Sequence, residues 1–345
     1  FFFSTVLVKM ESPDNMSMRM NPRSGSTVLV PLPRPSTPSQ EEDDTDVLTV
    51  QNPNITRDKE DVLYHLGLSN LGHDLPAMFS DVRFVCMGGS AVRAERLAHQ
   101  IADRLGISIP TGMDLSAVGK TERFSLFKVG PIISVNHGMG MPSMSILLHE
   151  VTKLLFHSKV KTVNYIRIGT SGGVGVPGGT VVVTSEGVNG KLECYHEHLV
   201  MGKVIKRPTT LDADLISLAL ELSQGSDDGK QEKIECIAGK TIGTDDFYEG
   251  QARLDGAEVC YDANERLEWL TAAYEKGVRN IEMESTCFAA WCHRTKIPGM
   301  ICCAVLLNRL EGDQVTATSS QLQEYSKNAQ EVALRVIEHK LKLGI

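Results

Sequence analysis

The chain lacks several features that would assign it to a class at once. It contains no run of about 20 apolar residues, so we expect no membrane-spanning helix and no membrane partner. None of its eight cysteines forms a Cys-x-x-Cys pair and several lie in apolar runs, which favours buried free thiols over disulfides or zinc. The formal net charge is -8, which argues against nucleic acid as a partner. These observations predict a cytoplasmic protein that holds no metal.

The remaining composition is that of an ordinary globular protein, with 345 residues of which 41% are hydrophobic and 23% are charged. Residues 1–50 differ, because they are rich in Ser, Pro, Met and Thr and end in an acidic run. We predict a disordered N-terminal extension over residues 1–50 and a single domain over residues 51–345. Met10 is a plausible start, and Phe1–Val8 has neither the basic lead nor the small-residue exit of a signal peptide.

Strand-like and helix-like segments mostly alternate after residue 80, which predicts an α/β fold. The expected sheet is mixed, twisted and mostly buried, with helices on its faces in three layers. The predicted strands are Arg83–Met87, Arg123–Val129, Ile132–Asn136, Val163–Ile168, Thr180–Thr184, Ile234–Ile242 and Met300–Leu307. The predicted helices are Ala91–Leu105, Ser143–His157, Leu211–Gln224, Asn264–Lys276, Ser285–Thr295 and Gln321–Leu343.

The segment Val163–Gly173 is the strongest candidate for an anion site. A β-branched and aromatic strand carries one charge, Arg167, and is followed by Gly169, Thr170 and a Ser-Gly-Gly sequence. Glycines let backbone N–H groups approach a ligand closely, and the guanidinium is a strong donor to anions. The alternative interpretation is a structural arginine beside a tight turn.

A second potential phosphate cradle follows the predicted strand Arg83–Met87. Gly88, Gly89 and Ser90 form a turn into a helix, and Arg93 lies in the first helical turn. This turn has neither a Gly-x-Gly-x-x-Gly spacing nor a Walker motif, so alone it is a weak signal.

The segment 244–257 is too polar for a core and carries Gln251 and Arg253 two positions apart. An amide and a planar fork of donors match a ring with an alternating carbonyl and N–H edge, such as a pyrimidine-dione. Phe247 is placed to stack on such a ring. A charged surface loop is the alternative interpretation.

Two carboxylates, Glu282 and Glu284, flank Met283 at the start of a predicted helix. A carboxylate is a natural acceptor for a vicinal diol such as the ribose hydroxyls, and methionine supplies an apolar floor. The alternative is that the acidic residues only complement the helix dipole.

Taken together, four motifs resemble the uridine phosphorylase family of the α/β nucleoside phosphorylases. They are Gly88-Gly89-Ser90-x-x-Arg93, the segment 166–173, the segment 246–256 with its Gln-x-Arg, and Asn280-Ile281-Glu282-Met283-Glu284. The Gln-x-Arg block and the segment 306–314 resemble the animal-type enzymes. The resemblance extends from about Asn54 to Lys342 and implies the nucleoside phosphorylase fold. It also implies reversible phosphorolysis of uridine to uracil and ribose 1-phosphate, in pyrimidine nucleoside salvage and catabolism.

The resemblance implies a role for each candidate residue. Those expected to bind phosphate are Gly89, Arg93, Arg167, Ile168, Gly169 and Thr170, together with Arg123 from a neighbouring subunit. Those expected to bind uridine are Ser171, Gly172, Phe247, Gln251, Ala252, Arg253, Met283, Glu284, Leu306, Leu307 and Val315, together with His65 from the neighbour at the 5′-hydroxyl. The expected catalytic residues are Arg253, Gln251, Arg167 and Glu284.

The family also implies a homo-oligomer with shared active sites. We favour a dimer, although a hexamer stays open. Inorganic phosphate is a co-substrate and no cofactor is expected. Without the resemblance, His65 has the character of a structural histidine beside apolar neighbours.

Two departures from the family pattern stand out. Ala252 occupies a position where relatives usually have Gly, which costs about 1 kcal/mol if the backbone there requires φ > 0. The segment Gly119–Glu122, before Arg123, differs from the usual Gly-Thr-Asp.

Three other functions compete with uridine phosphorolysis. A nucleosidase would use water and would not need the three phosphate arginines. A purine phosphorylase would place an acid near purine N7, where this chain has Gln251 and Arg253. A catalytically silent nucleoside-binding protein is the candidate outside enzymology.

Overall fold

The computed structural model describes residues 48–55, 59–109, 114–119, 121–226, 229 and 231–344. Strands in this part of the chain are β1 Val62–Leu63, β2 Leu68–Ser69, β3 Phe84–Gly88, β4 Leu126–Val129, β5 Ile132–Asn136, β6 Asn164–Gly173, β7 Val181–Val188, β8 Tyr195–Val200, β9 Lys203–Pro208, β10 Cys236–Gly243, β11 Val278–Glu282 and β12 Gly299–Asn308. Helices there are α1 Leu75–Phe79, α2 Ala91–Leu105, α3 Met141–His157, α4 Ala213–Ser223, α5 Ala263–Glu275, α6 Ser285–Thr295 and α7 Ser319–Lys342.

Eight of these strands form the central sheet, in the order β11-β10-β7-β12-β6-β3-β5-β4. The sheet is mixed, because β3 pairs in parallel with β5 and β6 whereas β4 is antiparallel to β5 and β12 is antiparallel to β7. Strand β11 also pairs with the end of β6, so five of the strands close on themselves. The predicted mixed α/β sheet is confirmed, and this closure is an addition that the sequence did not indicate.

Apolar side chains on both faces of the sheet create the three layers. In β3, Val85 and Met87 pack in the core under α1, α3 and α6, whereas Phe84 and Cys86 pack under α2, α4 and α7. This alternation is what the period of two in a strand produces when both faces are buried. The three-layer prediction is therefore confirmed.

Several predicted elements agree closely with the structure. Helices α2 and α6 have the predicted bounds, and the hairpin predicted over residues 123–136 is formed by β4 and β5. The hairpin of β8 and β9 and the strand β11 were not predicted. The predicted turn or extended arm over Asp61–Leu68 contains the two short strands β1 and β2.

The predicted thiol state of the cysteines is confirmed, since all eight are free. Six are buried, Cys194 is half-buried and Cys260 is exposed. Among the described helices, none has the length and apolar character needed to cross a bilayer.

The predicted extension lies outside the described residues up to residue 47, so its disorder and the domain boundary stay predictions. Just after that point, the Leu48 N–H donates to the carbonyl of Val160 at 2.8 Å, and the Leu48 side chain contacts the core beneath α3.

Candidate active site

A cavity of about 300 Å³ opens where several sheet strands end at their carboxyl termini. Open α/β sheets bind ligands at this edge, because the loops after parallel strands converge there. The cavity is lined by Gly89, Ser90, Arg93, His137, Gly138, Met139, Arg167, Gly169, Thr170, Ser171, Gly172, Phe247, Gln251, Arg253, Ile281, Glu282, Met283, Glu284, Leu306, Leu307, Arg309 and Val315. Fifteen of the predicted site residues are in this set, including all four predicted catalytic residues.

One end of the cavity carries Arg93 and the backbone of Gly89. A Cβ at Gly89 would lie 2.8 Å from Nη2 of Arg93, so the guanidinium lies directly against the backbone of this glycine. Ser90 caps α2 and its Oγ accepts from Nε of Arg93 at 3.2 Å. Burial and the nearby charge of Arg167 lower the pKa of Arg93. This clustering of positive charge predicts an anionic ligand.

Arg167 is 2% exposed and faces two carboxylates. Its Nη2 lies 2.6 Å from Oε2 of Glu282 and also donates to Oε2 of Glu284. Burial lowers the pKa of Arg167, but the two carboxylates outweigh that effect and the net shift is upward. The predicted phosphate arginine is therefore also the counter-ion of the predicted ribose carboxylate.

Burial raises the pKa of Glu284 to about 7, and neighbouring Glu282 adds to the rise while Arg167 opposes it. The oxygens of Glu282 accept from the N–H groups of Glu284 and Ser285 at 2.9 and 2.7 Å, which orients Glu282 at the start of α6. Oε1 of Glu284 accepts from the Gly140 N–H at 2.5 Å. Glu284 is therefore a buried cavity carboxylate whose pKa lies near neutrality.

The predicted turn over Gly169–Gly173 is wrong, because β6 continues as a strand to Gly173. Parallel pairing of Gly169 and Thr170 with β12 holds this segment extended, as does antiparallel pairing of Gly172 and Gly173 with β11. The glycines instead allow close packing, since a Cβ at Gly172 would lie 2.8 Å from Cγ of Arg309.

The opposite end of the cavity holds Gln251 and Arg253, both buried. The Arg253 guanidinium lies over the Phe247 ring at 4.5 Å and makes a bidentate contact with Asp255, at 2.8 and 2.5 Å. Ala252 between them has φ 51°, so the suspected positive φ is confirmed.

Asp313 ties this loop to the chain after β12. Its carboxylate accepts from the Leu254 N–H and from the side chains of Arg266 and Arg309, each at 3.0 Å. Its carbonyl accepts from Arg253 at 2.9 Å. Burial raises the pKa of Asp313, but these donors outweigh it and the net shift is downward. The geometry of Arg253 therefore depends on a buried ionic network.

Four predicted residues do not line the cavity. Ile168 packs into the core under α2, and Ala252 lines a separate cavity beside Arg266 and Trp269. Arg123 is exposed on the surface of this chain. Nδ1 of His65 lies 2.6 Å from Glu150, in a second cavity beside α3.

Seven lining residues were not among the assigned ligand contacts, although Ser90 and Glu282 lie in motifs identified from the sequence. They are Ser90, His137, Gly138, Met139, Ile281, Glu282 and Arg309. The position of His137–Met139 directly after β5 was the available signal, because β5 is parallel to β3 and ends beside Gly89. Arg309 lies in the segment 306–314 that carries part of the resemblance, but its contact with Gln251, 58 positions away, could not be predicted from that segment.

Comparison with known proteins assigns the chain that forms this cavity to a family. The model of the Phosphorylase superfamily matches residues 83–338. Uridine phosphorylase 1 of Mus musculus is 43% identical over 298 residues, which are 86% of this chain and 93% of the relative. The chain belongs to the uridine phosphorylase family.

Further uridine phosphorylases support the assignment. A solved structure of a uridine phosphorylase from Phytophthora capsici superposes with a TM-score of 0.81, at 42% identity, and covers 87% of this chain and 100% of that chain. Inactive uridine phosphorylase B of Schistosoma mansoni is 36% identical over 281 residues, which are 81% of this chain and 93% of the relative. The family therefore includes a member named as inactive.

Proposed function

We propose that the chain catalyses the reversible phosphorolysis of uridine to uracil and ribose 1-phosphate. The observation that carries this proposal is one cavity with arginines at one end, Gln251 and Arg253 at the other, and a buried carboxylate beside Met283. The arginines suit phosphate, Gln251 and Arg253 suit the uracil edge, and the carboxylate suits the ribose hydroxyls between them. A role in pyrimidine nucleoside salvage and catabolism follows from the reaction.

Phosphate, the nucleophile, docks at the end that contains Arg93, Arg167 and the backbone around Gly89 and Thr170. The ribose hydroxyls donate to Glu284 above the side chain of Met283. Glycosidic cleavage gives the sugar oxocarbenium character, so an anion held beneath the anomeric carbon stabilises the transition state.

The departing uracil gathers negative charge on its oxygens and on N1. Gln251 and Arg253 donate to the uracil edge. Because Asp255 and Asp313 hold the Arg253 guanidinium and Arg309 holds the Gln251 backbone, these donors need little reorganisation as this charge develops. Leu306, Leu307 and Val315 form an apolar wall that limits water and excludes the larger purine bases. The reaction needs phosphate as co-substrate and no cofactor, since no electron or metal-bound nucleophile takes part.

A single assay separates this reaction from the competing functions. Uridine absorbance is followed with and without phosphate, with inosine as a parallel substrate. We expect uridine consumption that requires phosphate and yields ribose 1-phosphate. Consumption without phosphate would identify a nucleosidase, preference for inosine a purine phosphorylase, and tight uridine binding without turnover a silent binding protein.

We propose a cytoplasmic homodimer with shared active sites, in which His65 and Arg123 reach the cavity of the partner. Both lie outside the cavity of their own chain. The hairpin of β8 and β9 also exposes Leu199, Met201 and Val204, an apolar surface suited to burial against a second copy. The free cysteines are consistent with a reducing compartment.

Subunit sharing is tested by mixing Arg123→Ala with Arg253→Ala protein, each inactive alone. After exchange, a mixed dimer has one intact site, so about a quarter of the sites should recover in an equal mixture. Exchange is monitored by native mass spectrometry. If mixed dimers form and no activity returns, Arg123 does not act across the interface.

A further inference from the structure

Asp255 holds two of the three nitrogens of the Arg253 guanidinium. Nε donates to Oδ1 at 2.8 Å and Nη2 donates to Oδ2 at 2.5 Å, while Nη2 also donates to the Asp313 carbonyl at 2.9 Å. Nη1 has no hydrogen-bond partner among the described residues and is not a buried atom, so it keeps contact with solvent. Because Arg253 lines the cavity, Nη1 is the nitrogen that remains available to a ligand there.

Asp255 acts on the cavity from behind Arg253, since it is not itself among the lining residues. Its side chain is 24% exposed, and Oδ2 also accepts from Nε2 of Gln314 at 2.5 Å. The hydrogen bonds from Arg253 lower the pKa of Asp255, slight burial opposes them, and the net shift is downward. Asp255 is therefore an ionised positioning residue that influences a ligand through Arg253.

Three arginines meet at this end of the cavity. Arg266 and Arg309 both donate to Oδ1 of Asp313 at 3.0 Å. Arg253 is paired with Asp255. Three guanidinium groups against two carboxylates leave one positive charge, which matches the single negative charge of a departing uracil. Without Asp255 two positive charges would remain, which matches the hydrogen-phosphate dianion.

The phosphate end of the cavity differs in this respect. The Nε of Arg93 donates to the Ser90 hydroxyl, and no carboxylate forms an ion pair with Arg93 in the described part of the chain. Its guanidinium is therefore available to an anion. Since guanidinium groups lie at both ends of one cavity, phosphate has to be kept away from the end that receives the base.

We propose that Asp255 prevents phosphate from binding at the uracil end, so that the two reactants cannot exchange places in the cavity. It does so by neutralising the guanidinium that contacts the base and by leaving only Nη1 to a ligand. One donor nitrogen suffices for a uracil oxygen, whereas a dianion is held by several charged donors. The inference rests on the proposed function and deepens it at the uracil end.

The test compares the full-length wild type with Asp255→Asn, which keeps the size of the side chain and removes its charge. Initial rates are measured over a matrix of uridine and phosphate concentrations. We expect phosphate to inhibit Asp255→Asn competitively with uridine, at concentrations about 10-fold lower than any such inhibition in the wild type. Calorimetry should show a second phosphate site in Asp255→Asn that saturating uracil abolishes.

Two further variants separate charge from shape. Asp255→Glu keeps the charge and should resist phosphate inhibition, even where a displaced Arg253 lowers kcat. Glu258→Gln removes the same charge from an exposed side chain that is not among the hydrogen-bond partners of Arg253, so it should behave as the wild type does.

Two results would overturn the role of Asp255. One is a wild type in which phosphate already competes with uridine at the concentrations that saturate the reaction, which needs no variant to fold. The other is an Asp255→Asn protein with slower turnover and no inhibition by phosphate, since Asp255 would then only shape the Arg253 side chain. Absence of uridine turnover in the wild type would instead refute the proposed function, and calorimetry of phosphate with and without uracil would still test Asp255.

Discussion

Arg309 and Gln251 are joined by a hydrogen bond of 2.8 Å between Nη2 of the arginine and the backbone carbonyl of Gln251. The same nitrogen lies 3.3 Å from the Ala252 carbonyl. Arg309 is fully buried. Through these two contacts it supports the backbone of the Gln-x-Arg loop. The uracil end of the site is positioned by a residue that belongs to a different segment of the chain.

Arg309→Lys is expected to impair the uracil end selectively. An ammonium group cannot reach the two carbonyls and Asp313 together, because it lacks the planar fork. We expect a loss of about 3 kcal/mol in unfolding free energy and a higher KM for uridine, with the phosphate KM little changed. Arg279→Lys is the matched control, since Arg279 also donates to two backbone carbonyls but lies outside the cavity. An equal rise in both KM values would contradict the assignment.

Ala252→Gly should stabilise the protein by up to about 1 kcal/mol, because it relieves a left-handed conformation that costs a non-glycine residue about that much. The gain is measured by chemical denaturation. Lys296→Gly is the control, as Lys296 has a similar φ of 61° at the end of α6. We expect similar stabilisation from both changes, but altered uridine kinetics only from Ala252→Gly. Unchanged or lower stability for both would show that φ > 0 imposes little strain here.

The raised pKa of Glu284 predicts a pH dependence of stability. Its folded value of about 7 exceeds the ordinary 4.5, so between these values the folded state binds more protons than the unfolded state. Stability contributed by this group therefore falls as pH rises from 4.5 to 7. Glu284→Gln should gain about 3 kcal/mol relative to the wild type across that range. A difference in unfolding free energy between Glu284→Gln and the wild type that does not change with pH would refute the raised pKa. The control is Glu311→Gln, because Glu311 is exposed.

Arg167→Met should be strongly destabilising, because it leaves Glu282 and Glu284 buried without their counter-ion. Removing one member of a buried ion pair costs about 3–5 kcal/mol. Adding Glu284→Gln to Arg167→Met should recover part of that loss, which double-mutant denaturation measures. If the change in the double mutant equals the sum of the two single changes, the pair contributes nothing to stability beyond its members.

Local patterns were sufficient to predict much of the fold. Helix α2 begins at an N-cap serine and ends before a left-handed glycine, and its predicted bounds are those observed. Gly169–Gly173 shows the limit, since a glycine-rich sequence favours a turn and only pairing with β11 and β12 makes it a strand. Strand β11 was missed for the same reason, as its charged residues become strand only through long-range partners.

Some site residues could likewise be predicted from local sequence, whereas the roles of others arise only from long-range contacts. Gln251 and Arg253 could be found because their spacing matches a ligand edge within one segment. The loop that holds them depends on Asp313 and Arg309, whose effect arises only after folding.

The extended course of β6 has a consequence for how the two reactants are spaced. Arg167 and Ser171 lie four residues apart on this one strand, a span of about 13 Å set by the fixed rise of an extended chain. Side-chain chemistry selects the reactants, whereas backbone length sets their separation. Inserting or deleting a single residue between these positions would move one subsite by about 3.3 Å and turn its side chains to the other face of the sheet. The length of β6 thus fixes the distance between the two subsites, so the site should tolerate substitutions in this strand far better than insertions or deletions.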